Sequence, residues 1–356
     1  MASKLMRSNR VGWGFALPAF ALITTFIILP FFLAFYFSLT NQRLISPNPT
    51  EFVGLQNYEN LLKLSVITIE PERDESGAVI RDADGEIQYP RVRTITRNPD
   101  YPQYKGMREW FRWQSGETAK VVVAKDVVFM KALVNTLTFV LFIVPLQGGG
   151  ALLLALLINQ KLRGINIFRT IYFMPVVISM VVIALLWRFI YSGDDGLLNN
   201  ILLALGFGLF EPIDWLGRTD TALGSIIFMS AWQGMGFHMV IWLSGLQTIN
   251  PTLYEVAAIE GSSRWQTFRY VTWPGLRNTA ILVLIVITMQ AFALFVQIDV
   301  MTKGGPLDST QTLVFQTVQR GYGKQDISGG STISVILFLI VLVISLTQRY
   351  LTRERD

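Results

Sequence analysis

The chain has 356 residues, of which 51% are hydrophobic and 15% are Asp, Glu, Lys or Arg. A soluble globular domain carries about 25% charged residues, so this composition and the mean hydropathy of +0.43 exclude an ordinary soluble protein. Cysteine is absent and histidine occurs once, which excludes disulfide scaffolds, thiolate metal sites and cysteine nucleophiles. The net charge of +5 fits the basic cytoplasmic loops of a membrane protein.

Six long stretches without charged residues indicate membrane-spanning helices, because a bilayer core needs about 20 apolar residues per helix. In chain order the predicted spans are Val11–Leu39, Ala132–Ile158, Thr170–Trp187, Ala222–Leu246, Asn278–Ile298 and Ile327–Gln348. Basic residues precede the first span, as they do in a signal peptide. Its apolar run is much longer than the roughly 7–15 residues of a cleavable core, so we expect a retained anchor.

The distribution of basic residues favours one orientation. With the N-terminus in the cytoplasm, the inside set is Lys4, Arg7, Arg10, Lys161, Arg163, Arg169, Arg264, Arg269, Arg277, Arg349, Arg353 and Arg355. The outside set in short loops is only Arg188, Arg218, Lys303, Arg320 and Lys324. Because cytoplasmic loops carry the excess of Lys and Arg, we expect both termini in the cytoplasm.

Residues 41–131 form the one region that looks soluble, with 13 basic and 13 acidic residues. Ser65–Ile69 and Arg91–Ile95 are β-type runs, and Asp84-Gly85 between two further runs is typical of a hairpin. We therefore expect a small β-containing external insertion. The residues alone are equally compatible with a solvated cap and with a docking platform for an external partner.

The predicted spans lack the groups that several transport and enzyme mechanisms need. Their interiors contain no Asp, Glu, Lys or Arg, whereas carriers driven by ion gradients often hold an ionisable residue there. Backbone carbonyls can also bind sodium, so such carriers are disfavoured and not excluded. The single histidine, His238, suits a hydrogen bond between helices better than a titrating role. No Gly-x-x-x-x-Gly-Lys-Ser/Thr motif is present, so nucleotide energy would have to come from a separate subunit.

Residues 250–274, between the fourth and fifth spans, predict two short helices joined at a glycine corner. Asn250 can cap the first helix, with Pro251 at its first position. Gly261 permits the positive φ that a helix end requires. Ser263 and Gln266 have the spacing of a capping box for the second helix. The small residues of the first helix leave room for another surface to approach closely.

The same segment resembles the cytoplasmic loop of binding-protein-dependent ABC importer permeases, whose pattern is Glu-Ala-Ala, three residues, Gly, nine residues, Ile-x-Leu-Pro. The matching residues are Glu255, Ala257, Gly261, Val271 and Pro274, and the departures are Val256 for the first Ala and Trp273 for Leu. Gly304–Pro306, Phe52–Tyr58, Ala132–Thr136 and Arg169–Pro175 also resemble carbohydrate permeases of the maltose type. Only residues 65–123, roughly, lie outside the resemblance.

The resemblance implies a half-channel that pairs with a second permease subunit. Two ATPase subunits would bind ATP and Mg, and an extracytoplasmic solute-binding protein would deliver the substrate. The cytoplasmic loop 248–278 would couple ATP hydrolysis to transport through Glu255, Ala257, Ala258, Gly261, Arg264 and Pro274. The chain itself would be no enzyme, would hold no cofactor or metal and would bind no nucleic acid. The insertion sits where the maltose permease has its large external loop, which favours the docking interpretation.

Neutral polar and aromatic side chains in the fourth and fifth spans suit a hydroxyl-rich solute, because amides pair with hydroxyls and sugar rings stack on aromatic rings. The predicted substrate path consists of Trp232, Gln233, Gln290, Phe292, Phe295 and Gln297. Gln290 and Gln297 are seven residues apart and would share one face of a continuous helix. Asn135 and Gln147 are weaker candidates. For all of them, hydrogen bonding between helices or lipid contact is the alternative role.

The sequence thus predicts an all-α membrane protein with six transmembrane helices of the ABC importer permease type and a small β-containing external insertion. Residues 1–40 would hold the cytoplasmic N-terminus and the first helix, 41–131 the extracytoplasmic insertion, and 132–356 the five remaining helices. The expected function is import of an oligosaccharide or glycoside across a bacterial or archaeal inner membrane. A polyol or glycerol phosphate is an alternative cargo, although a phosphate would favour cationic groups that the spans lack. A gradient-driven carrier and a membrane receptor or scaffold are the alternatives from other classes.

Overall fold

The structure, a computed structural model, describes residues 2–160, 164–206 and 211–352, with side chains from residue 13 to residue 351. The chain divides into two compact units, Met1–Val127 with Gln316–Leu339, and Val128–Phe315 with Ile340–Asp356. Some basic residues of the orientation argument lie outside the described residues or side chains. They are Lys161, Arg163, Arg353 and Arg355, and the side chains of Lys4, Arg7 and Arg10.

The first unit begins with a long apolar helix. It comprises α1 (Ala2–Ile23), a π-helical turn (Thr24–Ile28) and α2 (Leu29–Ser38). Phe31 packs edge-on against Phe338 with ring centroids 5.0 Å apart. Within this unit, the C-terminal part of the predicted first span is thus held by aromatic packing.

A small insert follows that helix and contains a three-stranded antiparallel sheet. The elements are α3 (Gln56–Leu62), β1 (Leu64–Ile69), α4 (Val92–Thr96), β2 (Arg108–Ser115) and β3 (Thr118–Ala124). The strand order is β1-β3-β2, so the Val-rich β3 lies in the centre, where β-branched residues fit best. Ile67 on β1 pairs with Val121 on β3, and both belong to a core with Val92 and Met107. The sheet therefore buries one face against α4 and the loop after it.

Two details of the insert differ from the sequence predictions. The run Arg91–Ile95 was expected to be β-type, yet it forms the start of α4, because Val92 and Thr96, one helical turn apart, are the residues that become buried. The predicted hairpin around Asp84-Gly85 is present, with hydrogen bonds of 2.9 Å from the Asp82 N–H to the Glu86 carbonyl oxygen and from the Gln88 N–H to the Ile80 carbonyl oxygen, but it forms only one isolated bridge, Arg81 with Ile87, and no full strands. Short-range periodicity could not anticipate which face would be covered.

The second unit contains most of the helices. They are α5 (Val127–Ile158), α6 (Ile165–Val177), α7 (Met180–Ile190), α8 (Leu197–Ala204), α9 (Ala222–Thr248), α10 (Pro251–Ile259), α11 (Arg264–Thr267), a π-helical turn (Phe268–Thr272), α12 (Trp273–Gly275), α13 (Arg277–Phe292), α14 (Val296–Met301), α15 (Leu313–Val318) and α16 (Ile327–Thr352), the last two being shared with the first unit. Helix α9 contributes most to the core, and its Ile226, Met229 and Met239 are fully buried.

Four helices of the described residues are long and apolar enough to cross a membrane, namely Trp13–Ser38, Val127–Ile158, Ala222–Thr248 and Ile327–Leu351. Two bent pairs raise the number to as many as six: α6 with α7 at 99°, and Arg264–Gly275 with α13 at 69°. The chain is therefore a mostly helical protein with four to six candidate membrane helices.

The predicted third and fifth spans are not continuous helices. Between α6 and α7, Ile178 and Ser179 adopt extended backbone with ψ of 139° and 135°. The predicted fifth span, Asn278–Ile298, breaks between α13 and α14. There the Leu294 carbonyl oxygen accepts a hydrogen bond of 3.0 Å from the Thr312 hydroxyl, which satisfies a backbone group at the break. Mean hydropathy does not reveal such breaks, because the stretches that contain them are as apolar as a continuous membrane helix.

Candidate functional site

A cavity of about 390 Å³ lies within the second unit, between α5, α9 and the broken α13–α14 segment. Its polar lining consists of Gln147, Ser230, Gln233, His238, Gln290 and Gln297. The other lining residues are apolar or glycine, and none of the described lining residues is Asp, Glu, Lys or Arg. A mostly apolar cavity with a few convergent hydrogen-bonding groups is typical of a small-molecule site, and this one is built for a neutral ligand.

The cavity brings together the three amides that the sequence singled out in the fourth and fifth spans. Gln233 lies on α9, Gln290 on α13 and Gln297 on α14. The continuous helical face proposed for Gln290 and Gln297 is wrong, because the chain turns at residues 293–295 between them. They line the same cavity because the break directs the chain back toward it.

The three aromatic residues of the predicted path do not line this cavity. Trp232 lies edge-on to Trp187 with ring centroids 5.4 Å apart. Phe292 is buried. Phe295 lies 6.0 Å from Phe315, measured between ring centroids. The structure thus places these rings in aromatic and core packing, and their part in a substrate path stays a prediction.

Two residues of the cavity lining were not among the predicted substrate-path residues: Ser230, which the sequence analysis did not single out, and His238, whose predicted hydrogen bond between helices is confirmed by its contact with Gln147. The Ser230 hydroxyl and His238 Nε2 are buried and have no hydrogen-bond partner among the described residues. An unpartnered buried polar group costs about 1–3 kcal/mol, so a ligand that supplies the missing partners would recover that free energy.

Gln147 holds the histidine in place. Its Nε2 atom lies 2.8 Å from His238 Nδ1, and the same Nδ1 lies 2.9 Å from the Gly234 carbonyl oxygen. Because Nδ1 is engaged on the protein side, Nε2 is the ring atom left for the cavity. Gly234 makes this arrangement possible, since a Cβ atom there would overlap the Gln147 amide.

The segment between α9 and α13 has the local structure that its sequence predicts. The Asn250 side chain accepts a hydrogen bond from the Thr252 N–H at 3.0 Å, with Pro251 at the start of α10. Gly261 has φ of +72°. Ser263 and Gln266 form a capping box, with distances of 2.8 and 3.3 Å. The predicted caps and glycine corner are confirmed, and they fix the direction in which the segment leaves α10.

This segment, defined here as the elbow (residues 250–276), exposes most of the residues predicted to couple to an ATPase. Glu255, Ala258, Gly261, Arg264 and Pro274 are exposed, whereas Ala257 is buried. Large apolar side chains are exposed beside them, with Ile259 at 84%, Tyr270 at 71% and Trp265 at 66%. Adjacent exposed apolar residues of this kind mark an interaction surface.

The profile of the family described as "Binding-protein-dependent transport system inner membrane component" matches residues 147–355. The chain belongs to this family. It is therefore a permease of the ABC transporter type, a transport component of the inner membrane and no enzyme. The match includes the elbow and all the polar residues of the cavity lining.

Curated relatives align with this permease over about two thirds of its length. The lactose transport system permease LacF of Rhizobium radiobacter is 36% identical over 245 residues, which cover 68% of this chain and 82% of the relative. The trehalose/maltose transport system permease MalF of Thermococcus litoralis is 32% identical over 259 residues, which cover 73% of this chain and 82% of the relative.

A solved structure has the same fold over almost the whole permease. It belongs to a bacterial ABC transporter involved in the import of the acidic polysaccharide alginate. The TM-score is 0.69 at 19% sequence identity, and the similarity covers 99% of this chain and 98% of the other. At that identity the comparison establishes the fold alone, which is the ABC permease fold.

Proposed function

We propose that this permease conducts a neutral sugar, an oligosaccharide or a glycoside, as one transmembrane subunit of an ATP-driven importer. The observation that carries the proposal is the cavity with its four glutamine amides, Ser230 and His238. Amides and hydroxyls donate and accept hydrogen bonds at once, as sugar hydroxyls do. Lactose and trehalose/maltose in the names of two relatives support the same class of cargo.

A neutral sugar fits the cavity better than glycerol phosphate does. A phosphate would be taken out of water into a space where no described lining residue is cationic, and an unpaired charge in such a place is costly. A neutral polyol shares the hydroxyl chemistry and is the remaining alternative cargo. The two neutral cargoes differ in the number of rings and hydroxyls that the cavity would enclose.

We propose that the partner ATPase subunits drive transport by moving the elbow. Two partner ATPase subunits would bind ATP and Mg, and one of them would contact Glu255, Ala258, Gly261, Arg264 and Pro274. Ala257 would contribute indirectly, because its small buried side chain lets α10 lie close to its neighbours. Closure of the ATPase subunits would then move α13 through the bend of 69° that joins it to the elbow.

The proposed arrangement in the membrane follows from the predicted spans. The broken pairs would each count as one crossing, giving six crossings with both termini in the cytoplasm. A second permease subunit would complete the channel, and the 41–131 region would face outward to meet a solute-binding protein. The elbow would then lie on the cytoplasmic side, within reach of the ATPase subunits.

Uptake into proteoliposomes tests this function. The complex purified from its native membrane is reconstituted with its binding protein, and uptake of labelled lactose, maltose and glycerol 3-phosphate is measured with and without ATP. The proposal expects ATP-dependent uptake of a neutral sugar and none of the phosphate. Uptake by this chain alone, driven by a sodium or proton gradient without ATP, would instead establish a secondary carrier.

A further inference from the structure

Another cavity lies inside the insert. It encloses about 310 Å³ between α4 and β2. Its lining consists of Arg91, Val92, Arg93, Thr96, Met107, Arg108, Glu109 and Arg112. Four arginines and one glutamate give it a formal charge of +3. We refer to it as the arginine pocket.

The single carboxylate of the arginine pocket is already paired. Arg112 Nε and Nη2 donate to the two oxygens of Glu109 at 3.1 and 3.0 Å. The guanidinium of Arg112 also lies over the Tyr89 ring, 5.8 Å from its centroid. Arg91, Arg93 and Arg108 form no ion pair with any described residue, so three cations face this pocket without a counter-charge.

The missing counter-charge is not due to a shortage of acids, because residues 41–131 contain 13 acidic and 13 basic residues. Several acids are committed elsewhere in the insert. Asp74 accepts hydrogen bonds from the Ser76 hydroxyl and from the Ala78 N–H, which lower the pKa of its carboxyl. Glu117 pairs with Arg73. The acidic residues Asp74 and Glu117 thus stabilise other parts of the insert, and the positive charge of the arginine pocket is left unbalanced.

Thr96 in the lining of the pocket is a second indication that the pocket binds a ligand. Thr96 is 96% buried, being 4% exposed, and its hydroxyl makes no hydrogen bond to any described residue although the residue lines the pocket. Met107 and Val92 are buried beside it. A buried hydroxyl without a partner among the described residues, in the same lining as unpaired guanidinium groups, can donate to an oxyanion that those groups also bind.

We propose that the arginine pocket binds a small oxyanion with at least two negative charges, a polycarboxylate or a phosphate ester. Guanidinium groups match carboxylate and phosphate oxygens in a two-point geometry, and the enclosed volume is that of a small-molecule site. The concave shape with a buried floor favours a small molecule over an acidic protein surface. This site is separate in residues from the neutral cavity, so the permease would recognise a charged ligand outside its sugar path.

Binding of citrate and of inorganic phosphate to the detergent-purified full chain tests the proposal by isothermal titration calorimetry at low ionic strength. The wild type is expected to bind one anion per chain, with an affinity that falls as NaCl is raised. The double variant Arg93→Ala with Arg108→Ala should weaken binding at least about tenfold. Arg73→Ala with Arg81→Ala removes equal charge from the insert outside the pocket and should leave binding nearly unchanged.

Smaller substitutions keep the test valid where a double variant fails to fold. Arg93→Lys retains the charge but loses the two-point geometry, and Thr96→Val removes only the hydroxyl. Each is expected to weaken citrate binding several-fold while the melting temperature stays that of the wild type. Absence of saturable binding of both probes to the wild type would overturn the proposal. Loss of affinity for the solute-binding protein in the double variant, without any small-anion binding, would overturn it too and assign the pocket to protein docking.

Discussion

At the scale of single residues, the strongest functional signal is polar atoms that the fold leaves without partners. Ser230 Oγ and His238 Nε2 are buried, unpartnered among the described residues and part of one cavity lining. Native folds pair nearly all buried polar groups, so two exceptions at one place call for a ligand or ordered water. The amides of Gln233, Gln290 and Gln297 converge on the same space, which gives the site its preference for hydroxyl groups.

Replacing both Gln290 and Gln297 with leucine should reduce sugar uptake roughly ten- to thirtyfold, because two neutral hydrogen bonds of about 1 kcal/mol each are lost. Uptake of the labelled sugar into proteoliposomes is the measurement. Gln247→Leu is the matched control, since Gln247 is exposed near the end of α9 and outside the cavity lining. If the double variant and the control took up sugar equally, these amides would not line the substrate path.

Gly261→Asp should uncouple ATP hydrolysis from transport while the chain still folds. A Cβ atom at Gly261 would meet nothing within 4 Å, and the left-handed backbone costs a non-glycine residue about 1 kcal/mol. The added charge would therefore act on whatever approaches the elbow and not on the fold. ATPase and uptake rates are measured on one preparation, with ATPase activity retained and uptake lost.

Gly77→Asp is the control for this effect. Gly77 lies in the insert with φ of +83° and equally open space around its Cβ position. Its substitution carries the same backbone cost and the same charge, yet it should leave coupling intact. Equal coupling in both variants would show that the corner at Gly261 has no partner close to it.

At the scale of elements, local capping signals were predictable and long-range breaks were not. The helix start at Asn250, the corner at Gly261 and the box of Ser263 and Gln266 depend on neighbours within four residues, so the sequence contains the whole cause. The breaks at residues 178–179 and 293–295 are different. At 293–295 the Leu294 carbonyl oxygen accepts a hydrogen bond from Thr312, 18 positions away, and the apolar composition of the surrounding stretches conceals both breaks.

The same distinction applies to the candidate site and the insert. Neutral amides in apolar spans were sufficient to identify Gln233, Gln290 and Gln297 as candidates. The role of His238 depended on Gln147, 91 positions away, and no local pattern reveals such a pairing. In the insert, β2 was missed because its charged and aromatic residues follow no period of two, and its pairing with β3 contains a register shift between Glu109 and Phe111.

The contact between α6 and α9 should be sensitive to a single methyl group. A Cβ atom at Gly236 would overlap the Tyr172 carbonyl oxygen, which belongs to the backbone and cannot rotate away. Gly236→Ala is therefore expected to destabilise the chain by about 1–3 kcal/mol, as overpacking does. Gly149→Ala, where nothing lies within 4 Å, should be neutral or stabilising. Thermal unfolding in detergent compares the two, and equal melting temperatures would contradict the tight contact.

At the scale of the whole molecule, the insert can be removed at a point that the sheet defines. Leu64 on β1 and Ala124 on β3 are Cα partners, and the Lys125 N–H donates to the Lys63 carbonyl oxygen at 3.1 Å. The two ends of residues 65–123 therefore lie side by side, and a short Gly-Ser linker can join them without altering the flanking helices.

Excision of residues 65–123 should leave membrane insertion and assembly with the ATPase subunits unchanged, because the cavity and the elbow both belong to the other unit. Stimulation of ATP hydrolysis by the solute-binding protein should be lost, since we propose that the insert receives it. Co-purification and ATPase assays measure the two effects. Full stimulation in the excised variant would contradict the docking role of the insert.

We propose that an ATPase subunit drives this permease through its elbow. The chain has no cysteine, so Ile259→Cys, at a position 84% exposed, gives a single thiol for a thiol–amine cross-linker in the complex purified from its native membrane. Leu307→Cys, at a position 79% exposed outside the elbow, is the control. We predict a covalent adduct with a nucleotide-binding subunit from position 259 and none from position 307. Sugar uptake by a complex in which position 259 never yields such an adduct would show that the elbow does not receive the ATPase subunit.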